Sequence, residues 1–233
     1  MTFDMIAFDA DDTLWENEVY YTRAQAKLKS LLEKYLPVED IHDAVYQTET
    51  RNIAIYGYGI KSFTLSLIET AITLTSGQIS AADVEKIIGI GQEMLTADIQ
   101  LLPGAKKTLG GLAETYSLMM VTKGDLLDQQ RKVDHTSIGD FFDYIEIVSE
   151  KNPTDYQVLL SKYNLLPEKF LMVGNSLRSD ILPVIQLGGH AVHIPYADTW
   201  MHEHVEPAGE YANSYTVIEN ISMLPDYIRS LER

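Results

Sequence analysis

The sequence predicts an α/β fold, in which a parallel sheet is covered by helices and interrupted by an inserted all-α domain. Short apolar runs alternate with helical stretches along most of the 233 residues, and this alternation is typical of a parallel sheet. One interval, residues 16–99, has no comparable apolar run and is helical throughout. We therefore predict an α/β core from residues 1–15 and 100–233 and a helical domain from residues 16–99.

Five apolar runs are predicted to form the strands of this sheet. They are residues 3–8, 117–121, 144–148, 170–173 and 191–194. Polar clusters follow the first four runs, at residues 9–13, 122–124, 149–151 and 174–176. The carboxyl ends of parallel strands meet at one edge of a sheet, so these clusters are expected to form a single site.

Helices are predicted between the strands and throughout the insertion. Those between strands are residues 106–115, 126–134, 154–163 and 180–187, and those of the insertion are 20–35, 38–53, 62–74 and 81–95. Glycines separate the later inserted helices, at Gly57, Gly59 and Gly77. Pro103-Gly104 returns the chain to the α/β pattern, which places the second boundary near residues 99–104.

The composition excludes several classes of function. The chain has no Cys, so it has no disulfide, thiolate metal site or Cys nucleophile. Its net charge of -16 argues against a nucleic-acid partner. No apolar run approaches the roughly 20 residues that span a bilayer, and the N-terminus lacks a signal-peptide pattern. We therefore expect a cytoplasmic protein without a membrane partner, whereas no oligomeric state follows from the sequence.

The strongest chemical signal is Asp9-Ala10-Asp11-Asp12-Thr13, directly after a predicted buried strand. Clustered carboxylates at a strand end require a compensating cation, and hard oxygen ligands favour Mg²⁺. Near such a cation Asp9 can attack phosphorus, while Asp11 protonates the leaving alcohol and later activates water. The alternative is a cap on the next helix, but capping needs one such residue rather than three.

This segment resembles the first motif of the haloacid dehalogenase-like superfamily. Three further motifs of that superfamily follow in order, at Thr122, at Lys151 before Asn152-Pro153, and at residues 174–180. The resemblance covers essentially the whole chain, since residues 16–99 are similar to the small helical cap of the family. It implies a Rossmann-like core and a magnesium-dependent phosphatase that acts on a small phosphorylated metabolite.

The resemblance also implies a role for each matching residue. Asp9 would be the nucleophile, Asp11 the acid and base, and Thr122 and Lys151 would bind the phosphate. The expected Mg²⁺ ligands are Asp9, the backbone carbonyl of Asp11, Asn175 and Asp180.

The chain departs from the family pattern at two positions and carries a further candidate in the insertion. Asn175 stands where phosphatases of the family usually have Asp, and Lys123 stands where many relatives have Asn. Lys123 either assists phosphate binding or projects to solvent. The segment of residues 57–63 resembles a cap segment that reaches the site in some sugar-phosphate relatives, and Lys61 within it is therefore a candidate substrate contact.

The sequence leaves competing functions open. A phosphosugar mutase uses the same aspartyl phosphate, so the motifs do not separate it from a phosphatase. Asp11 argues against a dehalogenase, which has no alkoxide to protonate. A phosphoacceptor receiver-like domain fails on the order of its residues. A non-catalytic binding protein stays an open alternative, which the presence of both Asp9 and Asp11 disfavours.

Overall fold

The structure, a computed structural model, describes residues 3–37, 41–197, 211 and 214–231. The strands within these residues are β1 (Met5–Phe8), β2 (Leu118–Lys123), β3 (Tyr144–Val148), β4 (Phe170–Gly174), β5 (His190–His193) and β6 (Thr216–Val217). They form one sheet in the order β3-β2-β1-β4-β5-β6, and every adjacent pair is parallel. The predicted α/β fold is confirmed, and the sheet is Rossmann-like.

The helices of the described residues are α1 (Glu18–Leu32), α2 (His42–Tyr56), α3 (Ile60–Leu74), α4 (Ala81–Thr96), α5 (Ala105–Ala113), α6 (Leu126–Thr136), α7 (Pro153–Lys162), α8 (Leu182–Gln186) and α9 (Leu224–Leu231). None of them is long and apolar enough to cross a membrane. The beginning of the helix predicted at residues 38–53 lies outside the described residues.

The two faces of the sheet are both buried. Successive residues of β1 alternate between them: Ile6 and Phe8 pack with Leu109 of α5, whereas Ala7 packs on the other face with Tyr156 of α7. This period of two is what a strand imposes on its side chains. Because helices cover both faces, the strands read as continuous apolar runs, and that is why the sequence revealed them.

Two elements at the C-terminal end of the chain, β6 and α9, were not predicted. β6 is only 2 residues long, too short for an apolar pattern. Strand β2 also continues beyond the predicted end at residue 121. Thr122 and Lys123 pair in register with Ile147 and Val148 of β3, so they belong to the strand and do not follow it.

The chain divides into two compact units. The α/β unit comprises Met1–Glu18, Ile99–Lys123 and Gln130–Arg233, and the helical unit comprises Val19–Asp98 and Gly124–Gln129. The helical unit has its own core, to which all four of its long helices contribute: Leu28, Val45, Leu67 and Ile87. Residues 124–129 join it through Asp125, whose carboxylate pairs with Lys61 at 2.9 Å.

Candidate active site

The candidate site lies at the carboxyl ends of β1 and β4, which are neighbours in the sheet. The chain runs outward from β1 to β3 and then returns to β4 beside β1. Open α/β sheets bind ligands at such a reversal of strand order. Asp9 follows β1 directly, and its backbone N–H donates to the carbonyl of Val173 in β4 at 2.9 Å. The side chains that follow these two strands therefore meet at one place.

Three buried charges form the centre of the site, and we call them the Asp9 cluster: Asp9, Lys151 and Asp180. The ammonium of Lys151 donates to Asp9 Oδ1 at 2.5 Å and to Asp180 Oδ1 at 2.8 Å. The side chains of Lys151 and Asp180 are only 2% and 1% exposed. Two carboxylates thus share one ammonium away from water, and the cluster retains a net negative charge.

The electrostatics of the Asp9 cluster reflect that imbalance. Burial raises the pKa of Asp9 to about 7, since the attraction of Lys151 is opposed by the neighbouring Asp180. Burial disfavours the charge on Lys151 as well, but Asp180 and Asp9 outweigh it and raise the pKa of Lys151 well above its usual value. The lysine is therefore a fixed cation, whereas Asp9 lacks full compensation for its charge.

Local structure places each member of the Asp9 cluster. Lys151 immediately precedes Asn152, the N-cap of α7, and this end of the helix is fixed by a capping box between Asn152 and Asp155 and by Pro153 at the first helical position. Asp180 lies in the helical turn Leu177–Ile181 and accepts the backbone N–H of Ser176 at 3.0 Å. A Cβ at Gly174 would lie 2.3 Å from Asp180 Oδ2, so only glycine lets the carboxylate approach the end of β4.

Asn175 joins the site through Thr13. The hydroxyl of Thr13 lies within hydrogen-bonding distance of Asp9 Oδ2, at 3.1 Å, and of Asn175 Oδ1, at 3.3 Å. His193 of β5 contacts the backbone carbonyl of Asn175 through Nε2 at 2.9 Å and helps to fix this loop. The structure therefore brings together four predicted residues: Asp9, Lys151, Asn175 and Asp180.

These oxygens fit a hard divalent cation. Within the described residues, no three Asp, Glu or His side chains form a metal-binding group by themselves. The donor set would consist of Asp9 and Asn175, whose side-chain oxygens flank the same hydroxyl, with Asp180 and the backbone carbonyl of Asp11. Mg²⁺ commonly takes one or two protein carboxylates and completes its coordination with other oxygens, so such a set suits it.

Asp11 has surroundings quite different from those of Asp9. Its Oδ1 accepts from the indole Nε1 of Trp15 at 2.6 Å and from the ammonium of Lys132 at 2.8 Å. Its side chain is 22% exposed. The sequence reasoning missed Lys132, because a lysine on α6 carries no local signal that distinguishes it from a solvated one.

Asp12, the third acid of the motif, caps a helix. Its carboxylate accepts the backbone N–H of Asn17 at 2.8 Å and that of Glu18, the first residue of α1, at 3.1 Å. Burial, reinforced by the nearby Asp11, raises the pKa of Asp12 to about 7 despite these bonds. The capping alternative considered for the motif thus applies to one acid of the three.

Thr122 and Lys123 end β2, next to β1 in the sheet. Thr122 is fully buried. Lys123 donates from Nζ to the hydroxyl of Ser179 at 3.2 Å, in the same turn that carries Asp180. Its ammonium is therefore directed to a site loop. Lys61 belongs to the helical unit, where it is the second residue of α3 and pairs with Asp125 at 2.9 Å.

The chain is similar to known proteins in both sequence and fold. Residues 3–188 match the model of the haloacid dehalogenase-like hydrolases. The chain is 26% identical to the glyceraldehyde 3-phosphate phosphatase of Pyrococcus furiosus over 98% of this chain and 93% of that protein. It is 25% identical to the glyceraldehyde 3-phosphate phosphatase of Methanothermobacter thermautotrophicus, over 96% of this chain and 98% of that protein. A haloacid dehalogenase-like hydrolase from Xanthomonas campestris superposes with a TM-score of 0.88 at 38% identity, over 99% of this chain and 92% of the other.

Proposed function

We propose that this chain, which belongs to the haloacid dehalogenase-like hydrolases, is a phosphatase that hydrolyses a small phosphate monoester through a phosphorylated Asp9. The observation that carries the proposal is the division between two carboxylates of one loop. Asp9 is held in a buried cluster with Lys151 and Asp180, whereas Asp11 is bound separately by Trp15 and Lys132. This division supports Asp9 as the proposed group that attacks phosphorus and Asp11 as the proposed group that moves protons.

In the first step, a carboxylate oxygen of Asp9 forms a bond to phosphorus while the bond from phosphorus to the leaving alcohol breaks. Asp11 donates its proton to the departing oxygen, so that an alcohol leaves rather than an alkoxide. Lys151 balances negative charge on Asp9 and on the phosphoryl group, and Thr122 is proposed to donate its hydroxyl to a phosphoryl oxygen.

In the second step, a water oxygen attacks phosphorus, and the bond between phosphorus and Asp9 breaks. Asp11, now ionised, takes the proton of that water, which returns both carboxyl groups to their starting states and releases inorganic phosphate. The same Asp11 therefore serves in both steps. This double role explains why one carboxylate is kept outside the buried charge cluster.

A bound Mg²⁺ would supply positive charge for the phosphoryl oxygens and for the net negative Asp9 cluster. We propose Asp9, the backbone carbonyl of Asp11, Asn175 and Asp180 as its protein ligands. Asn175 provides a neutral oxygen, and a neutral ligand in place of an anionic one lowers the affinity expected for the ion.

Substrate choice is proposed to come from the helical unit, acting as a cap, and from Lys123 and Lys61. Two relatives are named glyceraldehyde 3-phosphate phosphatases, so three-carbon sugar phosphates come first among candidate substrates. The pairing of Lys61 with Asp125 fixes an ammonium at the beginning of α3, where it is proposed to meet the substrate.

The proposal is tested by measuring phosphate release from a panel of phosphorylated metabolites, with and without Mg²⁺. We expect turnover of at least one small phosphate monoester and its loss on exhaustive chelation. Full activity after chelation would contradict the metal assignment. Conversion of a sugar phosphate to its isomer, without release of phosphate, would instead identify a mutase and overturn the proposed hydrolysis.

A further inference from the structure

Lys132 is a buried lysine whose ammonium is aimed at the proposed acid and base. Its side chain, on α6, is 5% exposed. Nζ donates to Asp11 Oδ1 at 2.8 Å and to the side-chain oxygen of Asn17, also at 2.8 Å. Lysines are rarely buried to this degree, because removing an ammonium from water is costly unless partners replace the water. The partner here is a carboxylate of the candidate active site.

The same oxygen of Asp11 is held from a second direction. Trp15 donates its indole N–H to Asp11 Oδ1 at 2.6 Å. Trp15 itself is fully buried, and its backbone carbonyl accepts the N–H of Asp12 at 2.8 Å. One donor thus comes from the loop after β1 and the other from α6. Two donors in different elements fix both the position and the rotation of the Asp11 carboxyl group.

We propose that Lys132 is a positioning residue, which holds the Asp11 carboxyl group in the orientation that proton transfer requires. The proposal rests on the proposed phosphatase function and extends it. Because Oδ1 accepts two N–H groups, Oδ2 carries the transferred proton. Oδ2 gives that proton to the leaving oxygen as the ester bond breaks, and takes one from water as the bond from phosphorus to Asp9 breaks.

Asn17 makes the direction of the ammonium specific. Its side-chain oxygen accepts a second bond from Lys132, and its own backbone N–H donates to Asp12 Oδ1 at 2.8 Å. The lysine is therefore anchored to the segment that leads into α1. Without this anchor the long side chain would retain its charge but lose its fixed geometry, so Asn17→Ala should weaken turnover in the same sense as loss of Lys132, to a smaller extent.

The first test compares Lys132→Met, Lys132→Arg and wild type on a phosphate monoester. Met keeps the apolar length and removes the ammonium, so kcat should fall about tenfold to a hundredfold, as for a small misplacement of a catalytic group. KM should stay within about threefold, because the interaction acts in the transition state rather than in substrate binding. Arg should recover part of the loss. Unchanged kcat in Lys132→Met would overturn the proposal.

A matched control is Lys162→Met, which removes an exposed lysine at the end of α7 that pairs with Glu146 of β3 at 2.6 Å. It changes the net charge equally and should leave kcat and KM at wild-type values. A loss equal to that of Lys132→Met would show an effect of total charge and would overturn the specific role. Lys132→Arg keeps the test available if Lys132→Met does not fold.

A double-mutant cycle separates positioning from general support of the fold. If Lys132 acts through Asp11, then Lys132→Met should cause no further loss of kcat in an Asp11→Asn background. An equal loss in both backgrounds would mean that Lys132 acts elsewhere, and would overturn the proposal.

A final readout does not depend on turnover. The chain has 2 Trp residues, so the indole N–H signal of Trp15 can be assigned in a ¹H–¹⁵N spectrum by Trp15→Phe. Lys132→Met removes a donor from the oxygen that Trp15 shares, and the Trp15 signal should shift. If Lys132→Met shifts the signal but the wild-type protein shows no phosphatase activity, the proposed function is refuted while the Lys132 contact is retained. An unshifted signal would refute the contact whether or not the enzyme is active.

Discussion

Two buried carboxylates, one in each unit, have opposite electrostatic surroundings. In the helical unit, the side chain of Asp83 is 2% exposed. Its carboxylate forms ion pairs with the ammonium of Lys34 at 2.6 Å and with that of Lys86 at 2.9 Å. Tyr35 and Ser80 also donate to it. We call these five residues the Asp83 cluster. In the α/β unit, Asp9 shares the single ammonium of Lys151 with Asp180.

The difference appears in the pKa values. Hydrogen bonds from Lys34, Tyr35 and Lys86 lower the pKa of Asp83 below its usual range. Burial raises the pKa of Asp9 to about 7, because its compensation is incomplete. A carboxylate whose charge is fully compensated by donors stabilises a fold. A carboxylate whose charge is only partly compensated retains the capacity to bind a cation and react. Burial of a charge is therefore a poor guide to a site, and the balance of donors around it is a better one.

Replacing Asp9 should have the largest effect on activity. Asp9→Asn removes the proposed nucleophile together with a proposed metal ligand, so no phosphorylated intermediate can form and phosphate release should be abolished. Single-turnover assays, with enzyme in excess over substrate, would detect even slight remaining phosphate release. Turnover in Asp9→Asn comparable to that of the wild type would contradict the comparison, since Asp9 would then be as structural as Asp83.

Replacing Asp11 should have a smaller and different effect. Asp11→Asn keeps the nucleophile but removes the acid and base, so turnover should fall about a hundredfold to ten-thousandfold. With an aryl phosphate, whose phenolate leaves without a proton, an early burst should be followed by accumulation of phosphorylated Asp9. Rapid-quench mass analysis detects that adduct. Its absence, together with near-normal turnover, would reverse the assigned roles.

Removing the ammonium of Lys151, which Asp9 and Asp180 share, should lower the stability of the fold. Lys151→Met leaves Asp9 and Asp180 buried beside each other, and loss of one partner of a buried ion pair typically costs about 3–5 kcal/mol. Urea unfolding in the presence of a chelator measures this loss. Added Mg²⁺ should restore part of it in Lys151→Met. A variant as stable as wild type, with no response to Mg²⁺, would show that the Asp9 cluster needs no cation.

The smallest effect is expected at Asp83, and it should depend on pH. The folded-state pKa of Asp83 is lowered, so its ionised form stabilises the fold above the usual carboxyl pKa of about 4, and this contribution is lost as the pH falls. Asp83→Asn should therefore be less stable than wild type at pH 7, and the difference should shrink in acid. The urea midpoints of both proteins, measured at pH 7 and again at a pH below the usual carboxyl pKa of about 4, provide the measurement. Equal destabilisation at both would contradict the electrostatic account.

Activity provides the control for the Asp83 comparison. Asp83 lies in the helical unit among its own donors, so Asp83→Asn should retain the mechanism, including the sensitivity to chelation. Loss of phosphorylated Asp9 in this variant, under conditions where it is folded, would mean that the Asp83 cluster takes part in the reaction.

The sequence by itself determined the fold class and the edge of the sheet at which the candidate site residues lie. The strands were readable because helices cover both faces of a parallel sheet, which makes each strand a continuous apolar run. Polar residues that interrupt such runs must lie at the ends of the strands, and the motifs at Asp9, Lys151 and Asn175 were located in this way. β6 escaped because 2 residues are too few to form a pattern.

Only the tertiary structure decided how the charges are divided among partners. Lys151 and Asp9 are 142 positions apart, and Lys132 and Asp11 are 121 apart, so no local pattern relates either pair. Three neighbouring acids also look alike in the sequence, yet packing makes Asp12 a helix cap, gives Asp11 two donors and leaves Asp9 under-compensated. The physical reason is that the backbone pattern fixes where a side chain lies, whereas its partners and its exposure to water fix what its charge can do.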